Sequence, residues 1–101
     1  MIEEMIQEKG LTAPRVTPER LEEVILTEQY HVFPGTTFTA CLLTLKNGYT
    51  VIGESACASP ENFDADIGRK IARANAKNKI WALEGYLLRD KISNGETVVP
   101  A

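Results

Sequence analysis

Four basic side chains recur at helical spacing in the second half of the sequence. Arg69, Arg73 and Lys77 are four residues apart, so an α-helix would carry them on one face, with Lys70 beside them. Guanidinium and ammonium groups grouped in this way can bind phosphates and other anions. We therefore treat this basic stripe as a candidate site for a nucleotide-like anion. The alternative is a solvent-exposed helix face, which such charge patterns usually indicate.

The residues before this helix and one acidic residue on a predicted strand complete the candidate site. Asn62 and Asp64 can cap the helix, and the backbone N–H groups at a helix start can bind an anion. Glu54 follows an apolar run, and a carboxylate on an apolar strand face needs a cationic partner unless it lies at a strand end in water. The candidate ligand-binding residues are therefore Glu54, Asn62, Asp64, Arg69, Lys70, Arg73 and Lys77.

The residue types of common catalytic and metal sites are sparse. Cys41 and Cys57 are expected to be small core residues, and the single histidine, His31, is distant from both in sequence. The sequence has no zinc-ligand spacing, no glycine-rich phosphate loop and no ordered Ser-His-Asp set. We therefore expect no metal, no cofactor and no catalytic residues, and an enzyme that uses a thiol or a carboxylate is the least favoured class.

The composition is that of one small globular domain. The chain has 101 residues, of which 44% are hydrophobic and 25% are charged. We predict a single domain over residues 1–101, with 1–12 and 92–101 frayed. No apolar run reaches the ~20 residues that cross a bilayer, and no secretory signal is recognisable, so we expect a cytoplasmic protein with no membrane partner.

Charge is unevenly distributed along the chain. The formal net charge is −3, yet residues 1–30 are mainly acidic and residues 64–91 mainly basic. The two halves are expected either to face one another, within a protomer or across a subunit contact, or to leave the basic face for an anionic partner. A homo-oligomer is expected on this basis and on small size. Generic nucleic-acid binding is not expected, because the protein is acidic and the basic stripe lacks interleaved aromatic residues.

Local signals predict an α+β fold: two N-terminal helices, a small antiparallel sheet with an Asn-Gly hairpin, and one long helix packed on the sheet. Residues 2–9 have apolar side chains at helical spacing. Thr17 and Pro18 are typical of an N-cap and first helical residue, and this second helix is predicted to extend to about Glu28. A short edge strand follows at 30–33.

The hairpin is centred on Asn47 and Gly48, which favour a two-residue type I′ turn between β-rich runs. Because side chains alternate along a strand, this register defines one face of the hairpin. The predicted common face consists of Cys41, Leu43, Leu45, Thr50, Ile52 and Glu54. A disulfide between Cys41 and Cys57 is not expected, because the two residues are not opposed.

The long helix is predicted to start at Ser59-Pro60-Glu61 or, alternatively, to be capped by Asn62 or Asp64, and to pack closely through small residues. One predicted row contains Phe63, Ile67, Ile71, Ala74 and Asn78, and the neighbouring row contains Ala72, Ala76, Ile80, Leu83 and Leu87. Gly85 is a candidate kink. Trp81 and Tyr86 are expected in the core or in a subunit contact rather than as a base-stacking platform. A turn is predicted at Asn94 and Gly95.

Several of these motifs together resemble the small "gp-forty-nine-like" protein family of tailed phages and prophages, over residues 13 to 89. The matching segments are Arg15–Pro18, Phe33–Thr36, Thr39–Gly48, Val51–Cys57, Asn62–Asp64, Ile67–Ala72, Ile80-Trp81 and Leu83–Leu88. The resemblance implies a phage or prophage origin and an accessory role in an infected or lysogenic bacterial host. It implies no biochemical activity and supplies no catalytic residues.

The sequence therefore leaves two expected functions. The first is a non-catalytic binding protein that modulates a host factor or sequesters a small, nucleotide-like anion, an expectation that rests on analogy with other small phage proteins. The second is a structural or interaction protein that forms a homo-oligomer through its acidic and basic faces.

Overall fold

The computed structural model describes residues 13–97 and has an α+β fold. Strands β1, β2 and β3 form an antiparallel sheet in sequence order. In chain order, the elements are α1 (Pro18–Glu23), β1 (Ile25–Val32), β2 (Phe38–Leu45), β3 (Thr50–Ala56), a 3₁₀ helix (Pro60–Asn62), α2 (Ala65–Asn78) and α3 (Ile80–Ser93).

Helix α1 begins where the sequence predicted and ends earlier. The Thr17 hydroxyl accepts a hydrogen bond from the Arg20 amide at 3.2 Å, and Pro18 occupies the first helical position. The predicted extension to Glu28 is wrong, because β1 already begins at Ile25 and pairs with β2 as far as Val32, with an irregularity between Ile25 and Thr27. The described residues therefore contain one short N-terminal helix instead of two, and the helix predicted over 2–9 lies outside them.

The hairpin between β2 and β3 is present, but its predicted register is wrong by one residue. Cys41 is paired with Gly53, not with Glu54. The Leu45 amide donates to the Tyr49 carbonyl at 2.8 Å, which leaves a three-residue loop in which Gly48 has a φ of 90°. A loop of this kind needs a positive φ only at its last residue, so it suits the sequence as well as the predicted two-residue turn.

The one-residue shift changes the faces of the sheet. Cys41 and Leu43 share their buried face with Val51 and Gly53, whereas Glu54 lies on the opposite, open face. The buried face is covered by α2. The core consists of Leu21, Val24, Cys41, Leu43, Leu45, Val51, Ala72, Ala76 and Ile80.

Glycine allows α2 to lie directly on the sheet. A Cβ on Gly53 would overlap the backbone N of Ala76 and the carbonyl O of Ala72, and it would lie 2.7 Å from the Ala76 Cα. On α2 itself, a Cβ on Gly68 would lie 3.0 Å from the Thr39 hydroxyl. The helix and the sheet therefore touch backbone to backbone, as the small residues of α2 predicted.

The long C-terminal helix is interrupted at Lys79, between α2 and α3, and not at Gly85. The Lys79 amide donates to the Ala76 carbonyl at 3.1 Å, which tightens the end of α2, while Gly85 lies inside α3. The predicted turn at Gly95 is present, with a φ of 73°. Among the described residues, no helix is long and apolar enough to cross a membrane.

Candidate functional site

The most organised group of polar side chains is an ion-pair cluster centred on Arg73. Its Nη1 and Nη2 atoms donate to the two carboxylate oxygens of Glu22 at 3.1 and 2.9 Å, and its Nε donates to Glu28. Lys77 Nζ lies 2.6 Å from Glu22 Oε2. The Tyr30 hydroxyl completes the cluster by donating to Glu28 at 2.9 Å. We call these five residues the Arg73 cluster.

Three elements bring the Arg73 cluster together. Glu22 is in α1, Glu28 and Tyr30 are on β1, and the two cations are one turn apart on α2. Glu28 and Tyr30 are two residues apart on the strand, so their side chains share the face that α2 covers. The acidic and basic halves of the chain therefore meet within one protomer.

The cluster shifts the ionisation of its members. Hydrogen bonds from Arg73 and then Lys77 lower the pKa of Glu22 from 4.5 to about 2. Hydrogen bonds from Arg73 and Tyr30 likewise lower the pKa of Glu28. Burial and the hydrogen bond to Glu28 raise the pKa of Tyr30 to about 12. Both carboxylates are therefore ionised, and Tyr30 protonated, at neutral pH.

We expect the free energy of unfolding to fall as the pH is lowered from 4.5 to about 2, and Glu22 to contribute part of this fall. A carboxylate with a lowered pKa stabilises the folded state fully above its unfolded pKa, and this stabilisation is lost as the pH falls through the folded pKa. Urea unfolding across this range should show a shallower decline for Glu22→Gln than for the wild type. Glu23→Gln is the matched control, since the Glu23 carboxylate lies 3.7 Å from Arg20. Equal declines for both variants would contradict the assignment.

The other two basic candidates lie one turn earlier on α2 and make weaker contacts. Arg69 Nη2 lies 3.7 Å from an Asp66 carboxylate oxygen, and Lys70 Nζ lies 3.1 Å from the other. The Arg69 side chain is 44% exposed, and the Lys70 and Asp66 side chains are 76% and 62% exposed. The predicted stripe is thus divided into an exposed pair and a pair that is held in the Arg73 cluster.

The entry to α2 is capped by the protein itself. Asp64 Oδ1 accepts hydrogen bonds from the amides of Asp66 at 2.9 Å and Ile67 at 3.1 Å. Asp64 is thus the capping residue of the two that the sequence allowed, and Asn62 ends the preceding 3₁₀ helix. Two of the amides that an anion would need are therefore occupied by a carboxylate.

Glu54 does not join the basic residues. Its side chain is exposed on the open face of the sheet, opposite the face that α2 covers, because the register differs by one residue from the predicted one. The structure therefore brings together Arg73 and Lys77 with Glu22 and Glu28, and it places the remaining candidates elsewhere. The acidic partners were missed because they are 45 to 51 residues away in the sequence from Arg73.

Cys41 and His31 lie on opposite faces of the sheet and do not form a catalytic pair. Cys41 is fully buried on the α2 side of the sheet, and burial raises the pKa of its thiol. His31 pairs with Ala40 on the opposite face and makes an edge contact with the Phe33 ring, 4.5 Å between centroids. Both cysteines are free. Within residues 13–97, no group of His, Cys, Asp and Glu side chains is arranged to hold a metal ion.

One open hollow lies between the β1–β2 loop and the segment before α2, lined by Gly35, Thr36, Thr37, Pro60 and Phe63. Its hydroxyl groups are already engaged. Thr36 Oγ1 donates to the Phe33 carbonyl at 2.7 Å, and Thr37 Oγ1 donates to the Cys57 carbonyl. The hollow therefore offers little polar chemistry to a ligand.

Helix α3 exposes large apolar side chains. Trp81, Leu87 and Ile92 are each about two-fifths exposed, and Tyr86 is 78% exposed. Of the two places expected for Tyr86, the core of the protomer is therefore ruled out, and a subunit contact stays a prediction. Only Ile80 is buried among the residues of α3, and Leu83 packs against the core from its second turn.

The fold and these sites define a class, a small α+β protein with an exposed apolar helix and no assembled catalytic centre among its described residues. The chain belongs to the Phage protein (N4 Gp49/phage Sf6 gene 66) family, whose model matches residues 16–92. This confirms the family resemblance that the sequence motifs indicated. Comparison with curated proteins and with solved structures gives no match.

Proposed function

We propose that this phage protein is a non-catalytic accessory protein that binds a host protein through α3 and thereby modulates it. The observation that supports the proposal is a row of residues along α3 that lies outside the core and includes two large apolar side chains, Trp81 and Ile92, each about two-fifths exposed. We define the α3 stripe as Trp81, Gly85, Leu88 and Ile92, of which Gly85 and Leu88 are half-buried. Exposed apolar groups of this size are typical of protein-binding surfaces.

The spacing of the α3 stripe suits a helix that docks into a groove. Its members are separated by four, three and four residues, so they lie within about 60° of arc around the helix. Helical ligands present their anchors to apolar grooves at this spacing. A Cβ on Gly85 would have no neighbour within 4 Å. At this point a partner can approach the helix backbone closely.

The base of α3 is fixed to the rest of the protein. Ile80 is fully buried, Leu83 packs on the core, and Arg20 Nε lies 2.7 Å from Glu84 Oε1. The helix is therefore formed before any partner arrives, which reduces the entropy lost on binding.

Two other functions receive less support from the geometry. A small anion would have to compete with Glu22 and Glu28 at Arg73 and with Glu22 at Lys77. The other two basic candidates, Arg69 and Lys70, lie near Asp66 instead. A homo-oligomer built on opposite charges would lose the same two cations, because they pair within one protomer.

Host binding can be tested by affinity capture followed by reconstitution. Bacterial proteins retained by the wild type would be purified and their affinity measured by calorimetry against the wild type, Leu88→Glu and a control. The control is Leu26→Glu, an aliphatic residue that is 61% exposed on β1. We expect at least a tenfold loss of affinity, or about 1.4 kcal/mol, for Leu88→Glu only.

The same preparations separate the alternatives. Sedimentation of the pure wild type would reveal self-association, and calorimetry with nucleotides and inorganic phosphate would reveal anion binding. Equal affinities for Leu88→Glu and Leu26→Glu would reject the α3 stripe as the binding surface. Anion binding that Arg69→Glu abolishes, without any protein partner, would reject the proposal in favour of sequestration.

A further inference from the structure

Within residues 13–97, the β3 edge of the sheet is open and regular. The strand order leaves β3 with no neighbour on its outer side among the described residues. Its pairing with β2 is uninterrupted, whereas β1, at the opposite edge, has an irregularity between Ile25 and Thr27. Bulges of that kind protect an edge from pairing with other chains, and β3 lacks one.

The hydrogen-bonding pattern identifies which groups of β3 face outward. The Leu45 amide bonds to the Tyr49 carbonyl, and bonded and non-bonded pairs alternate along an antiparallel ladder. The outward backbone groups therefore belong to Thr50, Ile52, Glu54 and Ala56. One of them is already contacted from α2, since Asn75 Nδ2 donates to the Glu54 carbonyl at 2.7 Å.

That contact places an apolar row of α2 beside the edge. Ile71 and Ile67 lie one and two turns before Asn75, on the same side of the helix. Ile71 is 47% exposed and Ile67 is 54% exposed, although the helix that carries them packs against the sheet. The edge of β3 thus has backbone hydrogen-bonding groups along one side and an aliphatic wall above it.

We propose that this edge is a strand-addition site for an extended peptide segment of a partner protein. The peptide would pair with the outward groups of Ile52 and Glu54, and its N–H would bond to the carbonyl that Asn75 now contacts. Side chains that alternate toward α2 would pack on Ile67 and Ile71. The side chain opposite Glu54 would face its carboxylate, which favours Lys or Arg. The fitting motif is therefore aliphatic, basic, aliphatic.

A second copy of the chain fits this edge less well. Gly68 lies against Thr39, which pairs with Ser55, so the isoleucine row lies toward the C-terminal end of β3. A two-fold pair of β3 strands centred on Ile52 would set the polar hairpin loop against these isoleucines. A pair centred on Glu54 would oppose two carboxylates. A heterologous strand avoids both conflicts.

The site can be tested with a displayed library of random heptapeptides selected against the wild-type protein. We expect selected peptides to contain the aliphatic, basic, aliphatic motif and to shift the amide resonances of Ile52 and Glu54 and the side-chain amide of Asn75. Methylation of the peptide amides that face β3 should weaken binding about tenfold or more, and methylation of the alternate amides should not.

Two variants complete the test. Ile71→Asp should weaken peptide binding about tenfold, and Leu26→Asp, at the other edge, should leave it unchanged. The proposal would be overturned if no peptide were selected. It would also be overturned if methylation had equal effects at both sets of amides, or if the resonance shifts were confined to α3. If self-association of the pure protein protected the Ile52 and Glu54 amides from hydrogen exchange, a second copy of the chain and not a partner peptide would occupy the edge. Each of these readouts is independent of host binding through the α3 stripe.

Discussion

Replacing Gly53 with alanine should remove most of the stability of the protein. The added Cβ would overlap the backbone of α2 at Ala72 and Ala76, and neither backbone group can rotate away as a side-chain end could. Overpacking in a core costs about 3 kcal/mol at the upper end of its usual range, and here the helix itself must move. Domains of this size have total stabilities of only about 5 to 15 kcal/mol.

Gly85→Ala is the matched control for this substitution. Gly85 lies within α3, and a Cβ there would have no neighbour within 4 Å. Alanine should therefore stabilise the helix by about 0.5 to 1 kcal/mol. Urea unfolding followed by circular dichroism measures both changes. A Gly53→Ala protein that unfolds at the wild-type urea concentration would contradict the backbone contact between β3 and α2.

Replacing Arg73 with methionine should have the second largest effect, a loss of about 2 kcal/mol. Methionine keeps the aliphatic part of the side chain but leaves Glu22 and Glu28 without their shared cation. Hydrogen bonds to charged groups contribute about 1.5 to 3 kcal/mol each, and partial exposure places this cluster near the lower end. The Arg73 side chain is 28% exposed, so water screens it incompletely.

Arg69→Met tests the same chemistry one turn away. Arg69 is 44% exposed and lies 3.7 Å from Asp66, so its removal should cost less than about 0.5 kcal/mol. A double-mutant cycle of Arg73→Met with Glu22→Gln should show coupling of about 1 kcal/mol, because the two side chains bond directly. Additive effects, or equal losses for Arg69→Met and Arg73→Met, would show that the Arg73 cluster does not stabilise the fold.

The elements that the sequence predicted correctly depend on local chemistry. Thr17 was expected as a capping residue, and Asp64 as one of two candidates beside Asn62; Thr17 and Asp64 accept amide hydrogen bonds at their helix starts. Of the predicted row Ala72, Ala76, Ile80, Leu83 and Leu87, the first three are buried and Leu83 packs on the core, whereas Leu87 is 41% exposed. Capping and helical spacing involve residues within a few positions of one another, which is why the sequence reveals them.

The elements that were predicted incorrectly depend on pairing between distant segments. Residues 25–28 follow helix α1 directly, but they form a strand and not a continuation of the helix, because β2 pairs with them. The hairpin register differed by one residue, and that step was enough to move Glu54 from the buried face to the open one. Both outcomes depend on the best alignment of whole strands.

The candidate binding residues likewise combine features that local sequence sets with features that distant contacts set. The sequence by itself determined that Arg69, Arg73 and Lys77 share one side of a helix, and it identified the phage family. Only the tertiary structure decided that Arg73 and Lys77 are held by Glu22 and Glu28, while no other part of residues 13–97 pairs with the outer edge of β3. Spacing along one helix is set by backbone geometry, whereas the partners of a side chain are set by which distant elements the core brings together.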